Sequence, residues 1–216
     1  MLRTLIIVGA AIAGFGFILY QLGTFLFSVG GSRSKMDKDT EDLKDLASQW
    51  DDKLVPLDAS ELSLMAHNVI SEKVKTAIYY TETGVINSVY EESLLAYSYR
   101  RYDERKAILV AFTKESEFVF VQRGETINLV LNNYNQGTID ATGRLLSLDG
   151  KELGVLELPS LAGNHRILME GEEVASLIDL NEEYAETTKL FNKVKPLEEK
   201  QHNILTALTI YDILMR

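Results

Sequence analysis

Histidine, the side chain most used in acid–base chemistry, is scarce and widely spaced in this 216-residue chain. The three histidines stand at His67, His165 and His202. Cysteine is absent, which removes disulfides, thiolate metal sites and a thiol nucleophile. No His-Glu-x-x-His zinc helix, Gly-x-Ser-x-Gly elbow, phosphate loop or dinucleotide glycine fingerprint occurs. The spacing therefore predicts no catalytic residue, no cofactor and no metal. It places His165, in Gly163-Asn164-His165-Arg166, in a loop or at a strand edge. His202 is expected exposed in the first turn of the last helix, and His67 on a short helix. Asp37, Asp39 and Glu41 alternate as calcium ligands do. An EF-hand loop would put glycine at position 42 and glutamate at position 48, but Asp42 and Ser48 stand there, so a solvated linker is expected.

What remains is binding chemistry. The densest basic stretch runs from Tyr97 to Lys106. Within it Tyr99, Arg100, Arg101, Tyr102 and Arg105 combine the residue types of recognition surfaces, and tyrosine also suits a membrane interface. These five are the candidate patch for a partner or for lipid headgroups; the competing reading is a strand end with solvated charges. The formal net charge of −10 repels phosphates, so nucleic acid is not an expected partner.

The elements that must position such a surface begin with a membrane span. Between Arg3 and Arg33 no residue is charged, and a helix over those 29 residues (Thr4 to Ser32) would reach about 43 Å, more than the ~30 Å hydrocarbon core. A cleavable leader would have a shorter apolar core followed by small residues, where Phe25, Phe27 and Val29 stand instead. Residues 1–32 thus read as a retained single-pass anchor. Arg33, Lys35, Lys38 and Lys44 outnumber Arg3, which puts the remainder in the cytoplasm. Gly9, Gly16 and Gly23 recur every seven residues with Ala13 beside them, a stripe on which another helix can pack closely. Expected partners are therefore membrane lipid and other membrane subunits, or a second copy.

Residues 33–59 read as a charged juxtamembrane linker with a short helix, Leu43, Leu46 and Trp50 on one face, and Trp50 docking on the domain that follows. Residues 60–216 read as that domain. A short helix is expected from Leu62 to about Lys73. From residue 76 the apolar period becomes two, giving about ten short strands punctuated at Thr83-Gly84, Arg123-Gly124, Gln136-Gly137, Asp149-Gly150 and Glu170-Gly171. After Pro196 a last helix is apolar nearly all round from Ile204 to Met215. Such a helix must be buried and is too short to span a bilayer. The expected fold class is mainly β: an antiparallel barrel or sandwich of ten to twelve strands with a buried C-terminal helix, plus the N-terminal transmembrane helix.

The hairpin Leu145-Leu146-Ser147-Leu148-Asp149-Gly150-Lys151-Glu152-Leu153-Gly154 and the terminal helix 203–215 resemble the tubby C-terminal fold of tubby-like proteins, phospholipid scramblases and LURP-one-related proteins, over residues 60–216. The resemblance implies a closed barrel around a hydrophobic C-terminal helix. Its scramblase branch implies lipid handling, but the acidic domain lacks a matching basic cluster and the membrane helix is N-terminal, so the fold is carried over and the lipid chemistry is not. The functional expectation is a non-enzymatic interaction module, an accessory subunit of a membrane complex. The alternative is a lipid-binding or scramblase-like protein, and an enzyme with a site assembled from scattered side chains ranks third.

Overall fold

The computed structural model describes residues 35–159, 164–178 and 189–216. The segment read as a membrane anchor, with Gly9, Ala13, Gly16 and Gly23, lies outside the described residues. Among those described, no helix is long and apolar enough to cross a membrane. The chain divides into two compact units, Met1–Asp39 and Thr40–Arg216. Of the first, residues 35–39 are described and are helical.

The second unit opens with helix α1 (residues 40–48), a 3-10 turn at Asp51–Lys53 and helix α2 (Ala59–Ser63). Asp58 caps α2, its carboxylate accepting from the Ser60 and Glu61 N–H groups at 2.8 and 2.9 Å. Twelve strands follow: β1 (Met65–Lys75), β2 (Tyr80–Ser88), β3 (Ser93–Asp103), β4 (Lys106–Phe112), β5 (Glu117–Arg123), β6 (Thr126–Leu131), β7 (Tyr134–Ile139), β8 (Arg144–Leu146), β9 (Glu152–Glu157), β10 (His165–Met169), β11 (Glu172–Leu177) and β12 (Phe191–Val194). Helix α3 (Glu199–Leu214) ends the unit. Every strand pairs antiparallel with the next. Among the described residues the ends of the sheet meet at one bridge, Ala66 with Lys189, reinforced by the Leu190 N–H donating to the Met65 carbonyl at 2.8 Å. The result is a nearly closed up-and-down barrel.

Period two decides what fills it. Leu95, Tyr97, Leu109, Phe118, Phe120 and Leu129 from β3 to β6 join Leu205 and Leu208 of α3 in one core. Six consecutive residues of α3, Leu205 to Ile210, are at most 1% exposed. Six residues sweep more than one full turn, so α3 is enclosed on all sides. Gly154 on β9 makes room: a Cβ there would lie 3.0 Å from Leu208 Cδ1 and 3.3 Å from Ile204 Cγ2. The opposite parity of β3 and β4 is also buried, with Leu94, Ser98, Ile108 and Val110 fully covered. On that outer face α1 buries Leu43 and Ala47 and ties Lys44 to Glu117 at 2.8 Å. Trp50 docks there with Leu54, Val85, Ala96 and Phe112. Strands buried on both faces read as continuous apolar runs, as Ala107-Ile108-Leu109-Val110-Ala111 does.

Four local expectations are corrected. The helix expected from Leu62 stops at Ser63, and β1 runs from Met65, so His67 lies on a strand; Val69, Ser71 and Lys73 pair with Ile86, Gly84 and Glu82, and this ladder overrides the helical spacing. Thr83-Gly84 is no turn but the middle of β2. Asn132-Asn133, with φ of 49° and 66°, makes the tight β6–β7 turn, the left-handed pair that a two-residue hairpin requires. Gln136-Gly137 therefore lies inside β7. Gly137 has φ 141°, and a Cβ on it would come 1.9 Å from the Leu146 carbonyl oxygen. Gly137→Ala is expected to cost about 2 kcal/mol or more. Gly124→Ala, at φ 69° with nothing within 4 Å, should cost only about 1 kcal/mol. Urea midpoints of the two variants measure the difference; equal costs would show that β7 and β8 do not approach as closely as described.

Candidate functional site

Strand alternation splits the basic stretch of β3. Tyr99 packs against the barrel core, and burial raises its phenol above the ordinary value against the opposing pull of Arg101. Arg100 points the other way and is 7% exposed. Its guanidinium lies 4.5 Å from the centre of the Tyr79 ring, and its Nε donates to Thr81 Oγ1 at 3.4 Å. Tyr102 meets the edge of the same Tyr79 ring, centroids 6.0 Å apart, with Lys106 Nζ 5.1 Å from its own ring. Arg101 and Arg105 are exposed. The Arg101 Nε donates to the Asp103 carbonyl at 3.4 Å, and the Arg105 N–H to the Asp103 carboxylate at 2.7 Å. The five residues thus share a strand and turn but not a face.

On the inner side of β2 a carboxylate gathers phenols. Tyr80 and Tyr97 donate to the two oxygens of Glu82 at 2.5 and 2.8 Å, with Lys73 Nζ at 3.5 Å. Burial alone would raise the Glu82 pKa, but hydrogen bonds from Tyr80, Tyr97 and Ser71 and the charge of Lys73 hold it below the ordinary value. Burial, then the bonds to Glu82, push both phenols far up. With the phenols neutral and the carboxylate fully engaged, the cluster braces β2 against β3.

On the outer side a groove of about 560 Å³ runs between the end of α1 and strands β1 to β3. Leu46, Trp50, Ile70 and Val74 line it, and Tyr79 and Arg100 form part of its floor. Ile70 and Val74 are 56% and 53% exposed. A gap between α3 and β6 to β8 measures about 40 Å³.

At one end of the barrel three side chains form a triangle. His165 Nδ1 lies 2.7 Å from Asp212 Oδ2. Arg216 Nε is 2.9 Å from Asp212 Oδ1, and Arg216 Nη2 is 3.2 Å from His165 Nε2. His165 and Asp212 are buried; of the loop or strand-edge positions expected for His165, the structure shows the first residue of β10. His202 is part-buried beneath a cleft of about 440 Å³ that Asp58, Glu115 and Asn203 also line. No sequence spacing joins His165 to Asp212, 47 residues away; the one available signal was a single charged residue between Ile204 and Met215 of α3. Among the described residues no group of three or more His, Asp or Glu side chains is placed to hold a metal ion.

Beside this triangle the Asp140 carboxylate closes the β7–β8 turn. It accepts from the Thr142 hydroxyl and N–H at 2.6 and 2.8 Å and from the Arg144 N–H and Nε at 3.1 and 3.0 Å. Burial opposes ionisation, but these bonds outweigh it and bring the pKa from 3.8 to about 2. A carboxylate lowered on folding stabilises the fold above its unfolded pKa and loses that contribution as pH falls towards the folded value. The stability difference between the parent and Asp140→Asn should therefore be constant above about pH 5 and shrink between pH 4 and 2. Urea unfolding across that range measures it; a difference that grows on acidification contradicts the geometry.

No protein-family model, curated protein or solved structure matches the chain.

Proposed function

We propose that the chain is a membrane-anchored, non-enzymatic interaction module, an accessory subunit of a membrane protein complex, with its barrel on the cytoplasmic side. Small-molecule sites typically offer about 300 Å³ or more; the gap between α3 and β6 to β8 holds about 40 Å³, while the larger groove and the cleft above His202 open to solvent. The outer face of the barrel carries this reading. There the groove combines exposed aliphatic side chains with a tryptophan, the composition of protein-binding surfaces. The charge-free stretch Thr4–Ser32 supports tethering, and the Gly9, Ala13, Gly16 and Gly23 stripe supports a second helix beside it. A barrel of twelve strands around a C-terminal helix is also what the tubby-like resemblance implies for the fold.

Affinity purification of the full chain from its native membrane in mild detergent tests this. A membrane protein should be retained in fixed stoichiometry and be lost from the triple variant Gly9→Leu/Gly16→Leu/Gly23→Leu. Purification as a lone monomer, indifferent to that variant, removes the basis of the proposal. A second reading, contact with anionic lipid headgroups, draws on the exposed Arg101 and Arg105. It requires those residues to gain amide protection in nanodiscs containing anionic lipid and not in neutral ones.

A further inference from the structure

Among the described residues, β1 from Val69 to Lys75 pairs on one side alone. The Thr76 N–H donates to the Tyr79 carbonyl at 2.9 Å, which fixes the phase of the β1–β2 ladder. Bonded and non-bonded pairs alternate in an antiparallel ladder. Val74, Glu72 and Ile70 therefore exchange bonds with Thr81, Thr83 and Val85. Lys75, Lys73, Ser71 and Val69 turn their N–H and C=O groups to the outer edge. Met65, of the same parity, spends its outward carbonyl on Leu190. Beyond the bridge at Ala66, no strand among the described residues pairs along that edge. An open edge is a template for another extended chain.

The side chains along this edge restrict what could occupy it. Ile70, Glu72 and Val74 face the outer groove beside Leu46 and Trp50. Lys73 faces the inner side, reaching Glu82 at 3.5 Å, and Ser71 and Lys75 share its parity. Residues opposite one another across an antiparallel pair share a face and interact. A second copy fits badly. Two-fold pairing that sets Ile70 opposite Val74 puts Glu72 against Glu72. A centre at Lys73 opposes two lysines, and a centre at Ser71 sets Ile70 against Glu72. Like charges directly opposite destabilise a pair. Glu72 and Lys73 thus disfavour pairing of copies, while the lysines leave positions that an acidic residue would complement.

We propose that the outer edge of β1, from Val69 to Lys75, accepts an extended segment of a partner protein as a thirteenth, antiparallel strand. That segment carries apolar residues opposite Ile70 and Val74, a basic residue opposite Glu72 and acidic residues opposite Lys73 and Lys75. This rests on the interaction-module reading and names the chemistry of its partner. Main-chain bonds supply the attraction, and the alternate side chains entering the groove supply the choice.

The probe is the fluorescein-labelled peptide Asp-Val-Glu-Lys-Thr-Ile-Thr, added to the detergent-solubilised full chain. Saturable binding is expected, with Ser71 and Lys73 amides exchanging freely in the unbound protein and protected in the complex. Lys73→Pro removes one outward donor and leaves the β2 ladder intact, as proline is tolerated at a strand edge; it should weaken binding about tenfold or more. Lys73→Ala should weaken it by only about twofold. Glu72→Lys should lose about tenfold, regained when the peptide lysine becomes glutamate. Amides of Ser71 and Lys73 already protected in the unbound protein mean that another part of this chain holds the edge, and the proposal fails. Equal binding to the Lys73→Pro and Lys73→Ala variants also overturns it. If the native partner stays with Lys73→Pro in the purification described above, strand addition is wrong while the interaction-module reading stands.

Discussion

Leu208→Ala lowers the free energy of unfolding by about 2 to 5 kcal/mol, the range for truncating a fully buried leucine where the site cannot collapse. Leu208 is 0% exposed, and its contact with Gly154 is a side chain against bare backbone, which leaves little that could relax inward. Since a domain of this size is held by roughly 5 to 15 kcal/mol, the loss takes a large share. Gly154→Val attacks the same contact from the strand. Its side chain would start 3.0 Å from Leu208 Cδ1, and overpacking of this kind costs about 1 to 3 kcal/mol. Because the two residues touch, the double variant Gly154→Val/Leu208→Ala should be less destabilised than the sum of the singles. Chemical unfolding of the four proteins measures the coupling, and strict additivity would mean that α3 does not lie against β9.

The same helix shows what one-dimensional pattern can and cannot deliver. Apolar residues on every side of Ile204 to Met215 state that α3 is enclosed, without naming the enclosing strands. The barrel strands were legible where alternation was strict, as in Thr126 to Leu131, and where glycine marked a turn, as at Asp149-Gly150. They were misread where glycine serves a close backbone approach instead. Gly84 sits opposite Ser71, and Gly137 lies against Leu146; neither contact is encoded in neighbouring residues. The polar run Asn132, Asn133, Asn135 and Gln136 marks a hairpin tip in the sequence; the turn falls on its first two residues, and the other two lie in β7. The patch from Tyr99 to Arg105 was visible by composition alone. Its division into an inward Tyr99 and an outward Arg100 is a consequence of period two, available once the strand was recognised. The groove beside Trp50 needed two partners far apart in sequence, α1 and β1, and no local pattern could announce it. The triangle of His165, Asp212 and Arg216 joins residues 47 or more positions apart, and no local pattern could announce it either.

That triangle supports the other large effect. Asp212→Ala should destabilise the fold by about 3 to 5 kcal/mol, as removal of one member of a buried ionic group does. The directions of its bonds follow from which atoms can donate. A carboxylate only accepts, so His165 Nδ1–H donates to Asp212 at 2.7 Å. Arg216 Nη2 lies 3.2 Å from Nε2 and 3.5 Å from Nδ1, against the ring. Arg216 Nε approaches the other carboxylate oxygen at 2.9 Å. The carboxylate is thus the shared terminus, and losing it strands a buried imidazole N–H together with a cation. Arg216→Ala should cost less, about 1 kcal/mol, because that side chain is 31% exposed and water can replace much of its role. Asp212→Asn keeps an acceptor of similar shape and should fall between. His165→Leu/Asp212→Leu removes donor and acceptor together, and replacing a buried polar pair by apolar residues can be nearly neutral; the double variant should therefore recover most of what Asp212→Ala loses. Recovery would locate the cost in the stranded imidazole. Equal loss in both would instead place it in the packing of α3, and an Asp212→Ala cost below about 1 kcal/mol would mean that the triangle does not fasten the helix end to β10.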